Sequence, residues 1–429
     1  MTSRDSDLIL TRLQGLYPKA SDLSLGRLER LLAELGHPER RLPPVVHIAG
    51  TNGKGSTLAM LDAMLQAAGH RVQRYISPHL VHFNERILFN GEPIDEVDFG
   101  DVLDRAERTN QGQPITFFEI TTAAAFLAFA ERDADILLLE TGLGGRLDAT
   151  NVVDQPVLTL ISPISLDHQG FLGEKLEQIA GEKAGIFKAG VPAVLGPQTA
   201  EGLAVLEQRA RELDVELTVH RRDWSAEAVG EHLVVTMDGS ALDLPLPGLR
   251  GPHQIDNAGL ATVAASKLGD LRPSLAAMAA GLQHADWPAR LQPLTTGPLL
   301  SLLPKGSSLW LDGGHNPAAG EAMALSFDDD DPRPLHLIVG MLNTKDVTGF
   351  LAPLIPHIAS LQTVLVPDEA ASFDPEDLAR EARSLGAEAQ ASRSIDTALS
   401  AIEKGTSEPV RVLICGSLYL AGHALRANC

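Results

Sequence analysis

Apolar residues along this chain fall into two alternating rhythms. Short, predominantly apolar runs occupy residues 45–49, 136–139 and 157–161, and 72–76 reads as a further strand. Short continuous apolar runs, of which 136–139 is the clearest, are the mark of strands buried on both faces of a parallel sheet. Between them, apolar positions recur at helical spacing. Leu58, Leu61, Met64, Leu65 and Ala68 form one such stripe, ending near Gly69. Ile120, Ala123, Ala124, Phe126 and Leu127 form a second within 119–131, with no evident cap, and Leu176, Ile179, Ala180, Ala184 and Phe187 a third within 174–187. The alternation predicts an α/β fold with a mainly parallel sheet.

The rhythm changes over 215–246. Residues 217–219 and 233–237 read as β, and Asp238-Gly239 is a hairpin signal leading into 242–244. A small antiparallel sheet added to the first domain is expected there. A helix follows over 257–268. Trp287-Pro288-Ala289-Arg290 marks a junction, which puts the expected domains at 1–288 and 289–429. Beyond it, strands at 309–311, 335–339, 363–366 and 412–415 alternate with helical stretches such as 374–385, as in a second, smaller α/β domain. The acidic run at 328–331 reads as a solvated loop.

Composition narrows the function. A length of 429 residues suggests two or three domains. A net charge of −21 argues against nucleic acid and anionic membranes as partners. With cysteine only at 415 and 429, no disulfide framework is implied, and the cytosol is the default compartment. The polar first residues lack a signal-peptide core, and no apolar stretch is long and pure enough to span a bilayer. A monomer is the default state.

The richest motif is Gly50-Thr51-Asn52-Gly53-Lys54-Gly55-Ser56-Thr57, set between an apolar run and a helical stripe. A strand, a glycine turn with a lysine and a helix start together form a phosphate-binding device: backbone N–H groups face the anion and the lysine adds charge. It departs from the Walker A string, because Ile48 holds the first glycine position and Gly55 follows the lysine.

Other candidates gather at predicted strand ends. Glu140 closes the 136–139 run, a Walker B-like carboxylate suited to magnesium. Residues 142–151 form a glycine-rich segment with Arg, Asp, Thr and Asn, equally readable as a substrate loop or a flexible connector. Asp167-His168 reads as the end of another strand at the same edge; its histidine is a metal ligand or, as more often in proteins, a satisfied structural residue. Lys183 reads most simply as a solvated or salt-bridged helix lysine. Asp312-Gly-Gly-His315-Asn316-Pro317 places an acid, a histidine and an amide in one turn, which turn-forming residues alone would also explain.

As a set, in this order, these motifs resemble the Mur ligase superfamily, and within it the folylpolyglutamate synthase / dihydrofolate synthase family. The resemblance also takes in residues 75–80, 84–87, 116–119, 179–186, Gly340-Met341, Lys345-Asp346 and 415–419. It implies a P-loop NTPase-like N-terminal domain, with the small antiparallel sheet added, and a smaller Rossmann-like C-terminal domain.

The resemblance also implies roles. Thr51, Asn52, Gly53, Lys54, Gly55 and Ser56 would hold the ATP phosphates. Ser77 and Glu140 would ligate one magnesium ion and His168 a second. Lys183 would be carbamylated to N6-carboxylysine. Asn257, Arg290 and Asp312 would contact ATP, and His315 would sit near the acyl phosphate and incoming amine. Thr116, Phe117, Phe118, Glu119, Leu147, Asp148 and Ala149, with Ser21, Asp22 and Leu23, would form the pterin site. Lys54, Lys183 and His315 would be the catalytic side chains.

The activity implied is ATP-dependent joining of L-glutamate to 7,8-dihydropteroate and to the γ-carboxylate of reduced folates. Peptidoglycan-type relatives carry an extra N-terminal domain, for which the 49 residues before Gly50 are expected to be too few. A nucleotide-binding switch without ligase chemistry would not need the acid, histidine and lysine set. The family often has glycine where this chain has Ala289, so a positive φ there would strain the alanine.

Overall fold

The structure, a computed structural model, describes residues 5–16, 24–327 and 331–428. Ser21, Asp22 and Leu23 therefore lie outside the described residues, as does most of the acidic run; its last member, Asp331, is paired with Arg333 at 2.6 Å.

Four of the expected segments become strands β1 (Val45–Ala49), β2 (Val72–Tyr75), β5 (Ile136–Glu140) and β6 (Leu158–Ile161), joined by β3 (Ile87–Phe89), β4 (Glu92–Pro93), β7 (Ala193–Leu195) and β8 (Leu217–Val219). They form one sheet in the order β4-β3-β2-β5-β1-β6-β7-β8. β2, β5, β1, β6, β7 and β8 pair in parallel, and β3 pairs antiparallel with both β2 and β4. Every residue of β1 and β5 is buried, as strands covered on both faces require. Residues 217–219 were expected in the small antiparallel sheet; they form instead the parallel edge of the main one.

The small sheet is made of β9 (Trp224–Val229), β10 (His232–Met237) and β11 (Ser240–Pro245), all antiparallel. Its hairpin turn has Asp238 at φ 49° and Gly239 at φ 71°, the paired left-handed conformation of a type I′ turn.

A second sheet holds β12 (Gln292–Pro293), β13 (Ser308–Leu311), β14 (Leu335–Val339), β15 (Ser360–Thr363), β16 (Ala389–Ala391) and β17 (Arg411–Cys415), in the order β12-β13-β17-β14-β15-β16. Only β12 is antiparallel. The chain divides into two compact units: Met1–Ile164, Leu172–Pro247 and Asp256–Ala285 in the first, and Ser165–Phe171, Gly248–Ile255 and Asp286–Cys429 in the second. The fold is thus a P-loop-type α/β unit bearing a small added sheet, and a smaller α/β unit. No helix among the described residues is long and apolar enough to cross a membrane.

The helix expected over 119–131 spans Phe117–Ala130 and is firmly capped. Thr116 Oγ1 accepts from Glu119 N–H at 3.2 Å, and the Glu119 carboxylate accepts from Thr116 N–H at 2.7 Å. This reciprocal box was legible as Thr-x-x-Glu. Asp167-His168 does not end a strand: β6 stops at Ile161, and both residues belong to a later segment that packs with the second unit.

Candidate active site

In the first unit, β1 runs straight into the glycine turn, and the helix Lys54–Ala67 starts at once. The register places Ile48 beside Glu140, so the turn begins where β5 ends. Two glycines are required by space. A Cβ on Gly50 would run into the Ser162 hydroxyl, and one on Gly53, at φ 86°, into Asn257 Oδ1. Asn257 thus lies directly against the phosphate loop.

The amides of Thr51 and Asn52 are turned to Pro163 O, at 2.9 and 3.3 Å, which anchors the loop to the segment after β6. Thr57 N–H finds the helical acceptor Gly53 O at 2.9 Å, and the amides of Gly53, Lys54 and Gly55 precede it at the helix N-terminus. An anion is favoured at that end.

Three side chains, Lys54 of the loop itself and the distant Glu140 and Lys183, meet here. Lys54 Nζ donates to Gly50 O (3.1 Å) and Thr51 O (3.3 Å) and lies 3.8 Å from Glu140 Oε1. Glu140, 5 % exposed, accepts from Ser77 N–H at 3.5 Å. Lys183, 4 % exposed, donates to Gly50 O at 2.8 Å. It is therefore a buried member of the site and not a solvated helix lysine. Two ammonium groups thus meet on one carbonyl oxygen, where like charges repel.

The Glu140 carboxylate and the Ser77 hydroxyl are hard oxygen donors of the kind magnesium takes alongside phosphate and water. Among the described residues, no three His, Cys, Asp or Glu side chains are grouped to hold a metal alone. That is compatible with a phosphate-borne ion needing only one or two protein ligands. His168 sits at φ 53°, with its N–H on Asp167 Oδ1 at 2.8 Å.

Residues 142–151 are an ordered loop and not a flexible connector. Arg146 N–H donates to Glu182 O (2.7 Å), Asn151 Nδ2 to Gly185 O (3.0 Å), and Lys188 Nζ to Asn151 O (3.1 Å). The loop is therefore stitched to the end of the helix that carries Lys183. The Asp148 carboxylate is buried and accepts from Leu143 N, Thr150 N and Thr150 Oγ1; burial pushes its pKa up, against those hydrogen bonds. Ala149 is buried and Leu147 half-buried.

The Phe118 ring fills the space a side chain on Gly142 would need. Phe117 meets Phe83 edge-on, with ring centroids 5.6 Å apart. Glu119 is held by Arg27 at 2.9–3.2 Å, a partner that the sequence reading missed because it lies 92 residues away.

In the second unit, Asp312 Oδ1 accepts from Gly314 N–H (2.7 Å) and Oδ2 from Leu291 N–H (2.8 Å). These bonds tie the turn after β13 to the Trp-Pro-Ala-Arg segment. Ala289 stands at φ 56°, so the alanine occupies the left-handed region expected of the family's glycine, and its carbonyl accepts from Arg290 Nη1 at 2.8 Å.

His315 donates from Nδ1 to Gly313 O (2.9 Å) and turns Nε2 toward Asp167 Oδ2 (3.6 Å). Asp167 also accepts from Lys345 Nζ (2.6 Å) and Asn316 Nδ2 (3.1 Å). Burial would raise the Asp167 pKa; the hydrogen bond from His315 and the charges of His168, His315 and Lys345 outweigh it and hold the carboxyl well below its usual range. Asp167 and Lys345 carried no assigned role in the sequence reading, though both lie in its motifs.

The Mur ligase middle domain matches residues 48–265, and the Mur ligase glutamate ligase domain matches 301–418. With the phosphate loop of the first unit and the parallel sheet of the second, these make the chain an ATP-dependent ligase of the Mur ligase superfamily. It is 36 % identical, over 92 % of its own length and 92 % of the relative's, to the dihydrofolate synthase/folylpolyglutamate synthase of Bacillus subtilis.

Among solved structures it resembles Escherichia coli FolC in complex with DHPP and ADP (TM-score 0.88, 30 % identity, 99 % and 97 % of the two chains). It also resembles a bifunctional folylpolyglutamate synthase/dihydrofolate synthase with Mn, AMPPNP and L-glutamate bound (TM-score 0.86, 30 % identity, 99 % and 98 %). The chain belongs to the folylpolyglutamate synthase / dihydrofolate synthase family.

Proposed function

We propose that the protein joins L-glutamate to folate carboxylates with ATP, acting both on 7,8-dihydropteroate and on the γ-carboxylate of reduced folates. The observation that carries this reading is the meeting of Lys54, Glu140 and Lys183 at one glycine turn, with the Ser77 N–H on Glu140. The dual activity is supported by the double name of the Bacillus subtilis relative and of the glutamate-bound structure.

The chemistry requires such a site. A carboxylate is a poor acyl donor, because oxide would have to leave. Transfer of the γ-phosphoryl group to it gives an acyl phosphate, from which phosphate leaves when the glutamate amine attacks. Lys54 and the helix N-terminus neutralise and orient the phosphates, so positioning and charge stabilisation carry the rate. Ser77 and Glu140 would hold a magnesium ion, and His168 a second; such ions supply charge neutralisation on the transferring group.

Lys183 is proposed to be N6-carboxylysine. Carbamylation turns one of the two ammonium groups on Gly50 O into an anion and removes their repulsion. Asn257, Arg290 and Asp312 are proposed ATP contacts, and His315 a contact of the acyl phosphate and amine. Thr116 to Glu119 and Leu147 to Ala149 are proposed to hold the pterin.

The test incubates pure protein with ATP, magnesium and L-glutamate, supplying dihydropteroate and tetrahydrofolate separately. Acceptor-dependent ADP release with a ligated product from each is expected. ADP release no faster than the acceptor-free blank with both would overturn the assignment.

A further inference from the structure

β1 is apolar at Val45, Val46, Ile48 and Ala49, yet its central residue is His47. The imidazole is wholly buried, and its Nδ1 has no hydrogen-bond partner among the described residues. An unpaired buried acceptor is a cost that a fifth apolar residue would avoid, and what His47 supplies against it is the hydrogen bond from its other ring nitrogen.

That bond runs to Thr150 Oγ1, 2.8 Å from Nε2. The single hydroxyl hydrogen of Thr150 goes to Asp148 Oδ1 at 2.6 Å. Nε2 must therefore carry its own hydrogen and donate. Burial, with a smaller contribution from the charge of Lys188, lowers the His47 pKa to about 3, which keeps the ring neutral at working pH. The chain of donors runs His47 Nε2–H to Thr150, Thr150 to Asp148, and Leu143 N–H to the other Asp148 oxygen at 2.7 Å.

We propose that His47 is a positioning residue for the acceptor: it pins loop 142–151 to the same strand that delivers the phosphate loop three residues later. At the rise of an extended strand, those three residues span about 10 Å. One rigid strand thereby sets the spacing between the loop that holds the pterin and the loop that holds the γ-phosphate. The inference rests on the reading of 142–151 as part of the acceptor site.

The test compares Thr150→Val, His47→Leu and His47→Gln with the parent protein. It measures hydrogen exchange of peptides covering 142–152, and kcat and KM for dihydropteroate and for ATP. Thr150→Val keeps side-chain shape and so serves if His47→Leu does not fold. Thr150→Val and His47→Leu are expected to speed exchange in the loop and to raise the acceptor KM about fivefold or more, the effect of a bond worth one or two kcal/mol. ATP KM is expected to stay within about twofold. His47→Gln, which keeps a donor at the same reach, is expected to restore both readouts. Unchanged loop exchange in Thr150→Val, or ATP KM rising in step with acceptor KM, would overturn the positioning role. A loosened loop with an unchanged acceptor KM would instead overturn the acceptor reading of 142–151, and the proposal with it, while leaving the ATP-dependent chemistry standing.

Discussion

The phosphate loop at Gly50–Ser56 and the loop at Gly142–Asn151 each follow a buried parallel strand, but their shapes have different origins. The first is mostly local: a strand, two sterically required glycines and a helix start fall within a dozen residues. The second is held by residues scattered along the chain, with His47 beneath it, Phe118 against Gly142, and Glu182, Gly185 and Lys188 at its side. A locally encoded site tolerates changes elsewhere. A site assembled from distant contacts can be lost through residues that never touch substrate.

The contrast can be broken from either side. The largest effect is expected at Lys54: Lys54→Ala should lower kcat for glutamate ligation by about 10³-fold or more, with fold retained, because the charge acts where negative charge develops. Ligation persisting within about tenfold of the parent rate would refute the phosphate-loop reading.

Next comes the acid response of the other loop. His47 binds its proton with a pKa of about 3 when folded and near 6.5 when unfolded, so protonation favours the unfolded chain. Its contribution is fully present above pH 6.5 and is lost as pH falls toward 3, by about 1.4 kcal/mol per pH unit. Urea unfolding at pH 7, 5 and 4 should therefore show a shallower acid loss in His47→Gln than in the parent protein. Equal slopes would contradict it.

A matched pair sharpens the division further. Gly53→Ala, at φ 86° and against Asn257, carries about 1–2 kcal/mol of backbone strain and should raise ATP KM about tenfold while sparing acceptor KM. Gly185→Ala would drive a methyl group into the Arg146 backbone, at a typical overpacking cost of about 1–3 kcal/mol, and should do the reverse. Steady-state titration of each substrate separates the two outcomes.

The smallest effect is expected at Ala289. Glycine would relieve about 1–2 kcal/mol of left-handed strain. Against that stand about 0.5–1 kcal/mol of glycine backbone entropy and about 0.8 kcal/mol for a lost buried methyl. Ala289→Gly should thus move unfolding stability by less than about 1 kcal/mol and leave ligation unchanged.

The same contrast explains what could be read from sequence. β1, β5 and the helix after the phosphate loop follow from short, mainly apolar runs and a helical stripe. β9 was missed, although Ser225 and Glu227 alternate with Trp224, Ala226 and Ala228, because alanine is a weak strand signal. Residues 217–219 were given the wrong partner, since a three-residue run does not reveal which strand it will join. Lys54 and Glu140 were legible because their chemistry is local to a strand end. Arg27, His47 and the Asp167–Lys345 pair were not, because each acts through a partner at least 90 residues away.

The most direct measurement follows oxygen. Dihydropteroate carrying ¹⁸O in its carboxylate is incubated with ATP, magnesium, L-glutamate and the enzyme, and the released phosphate is analysed by mass. If the carboxylate attacks the γ-phosphoryl group and glutamate then displaces phosphate, one ¹⁸O enters phosphate for every amide formed. Amide formed with unlabelled phosphate would contradict activation of the folate carboxylate by phosphoryl transfer.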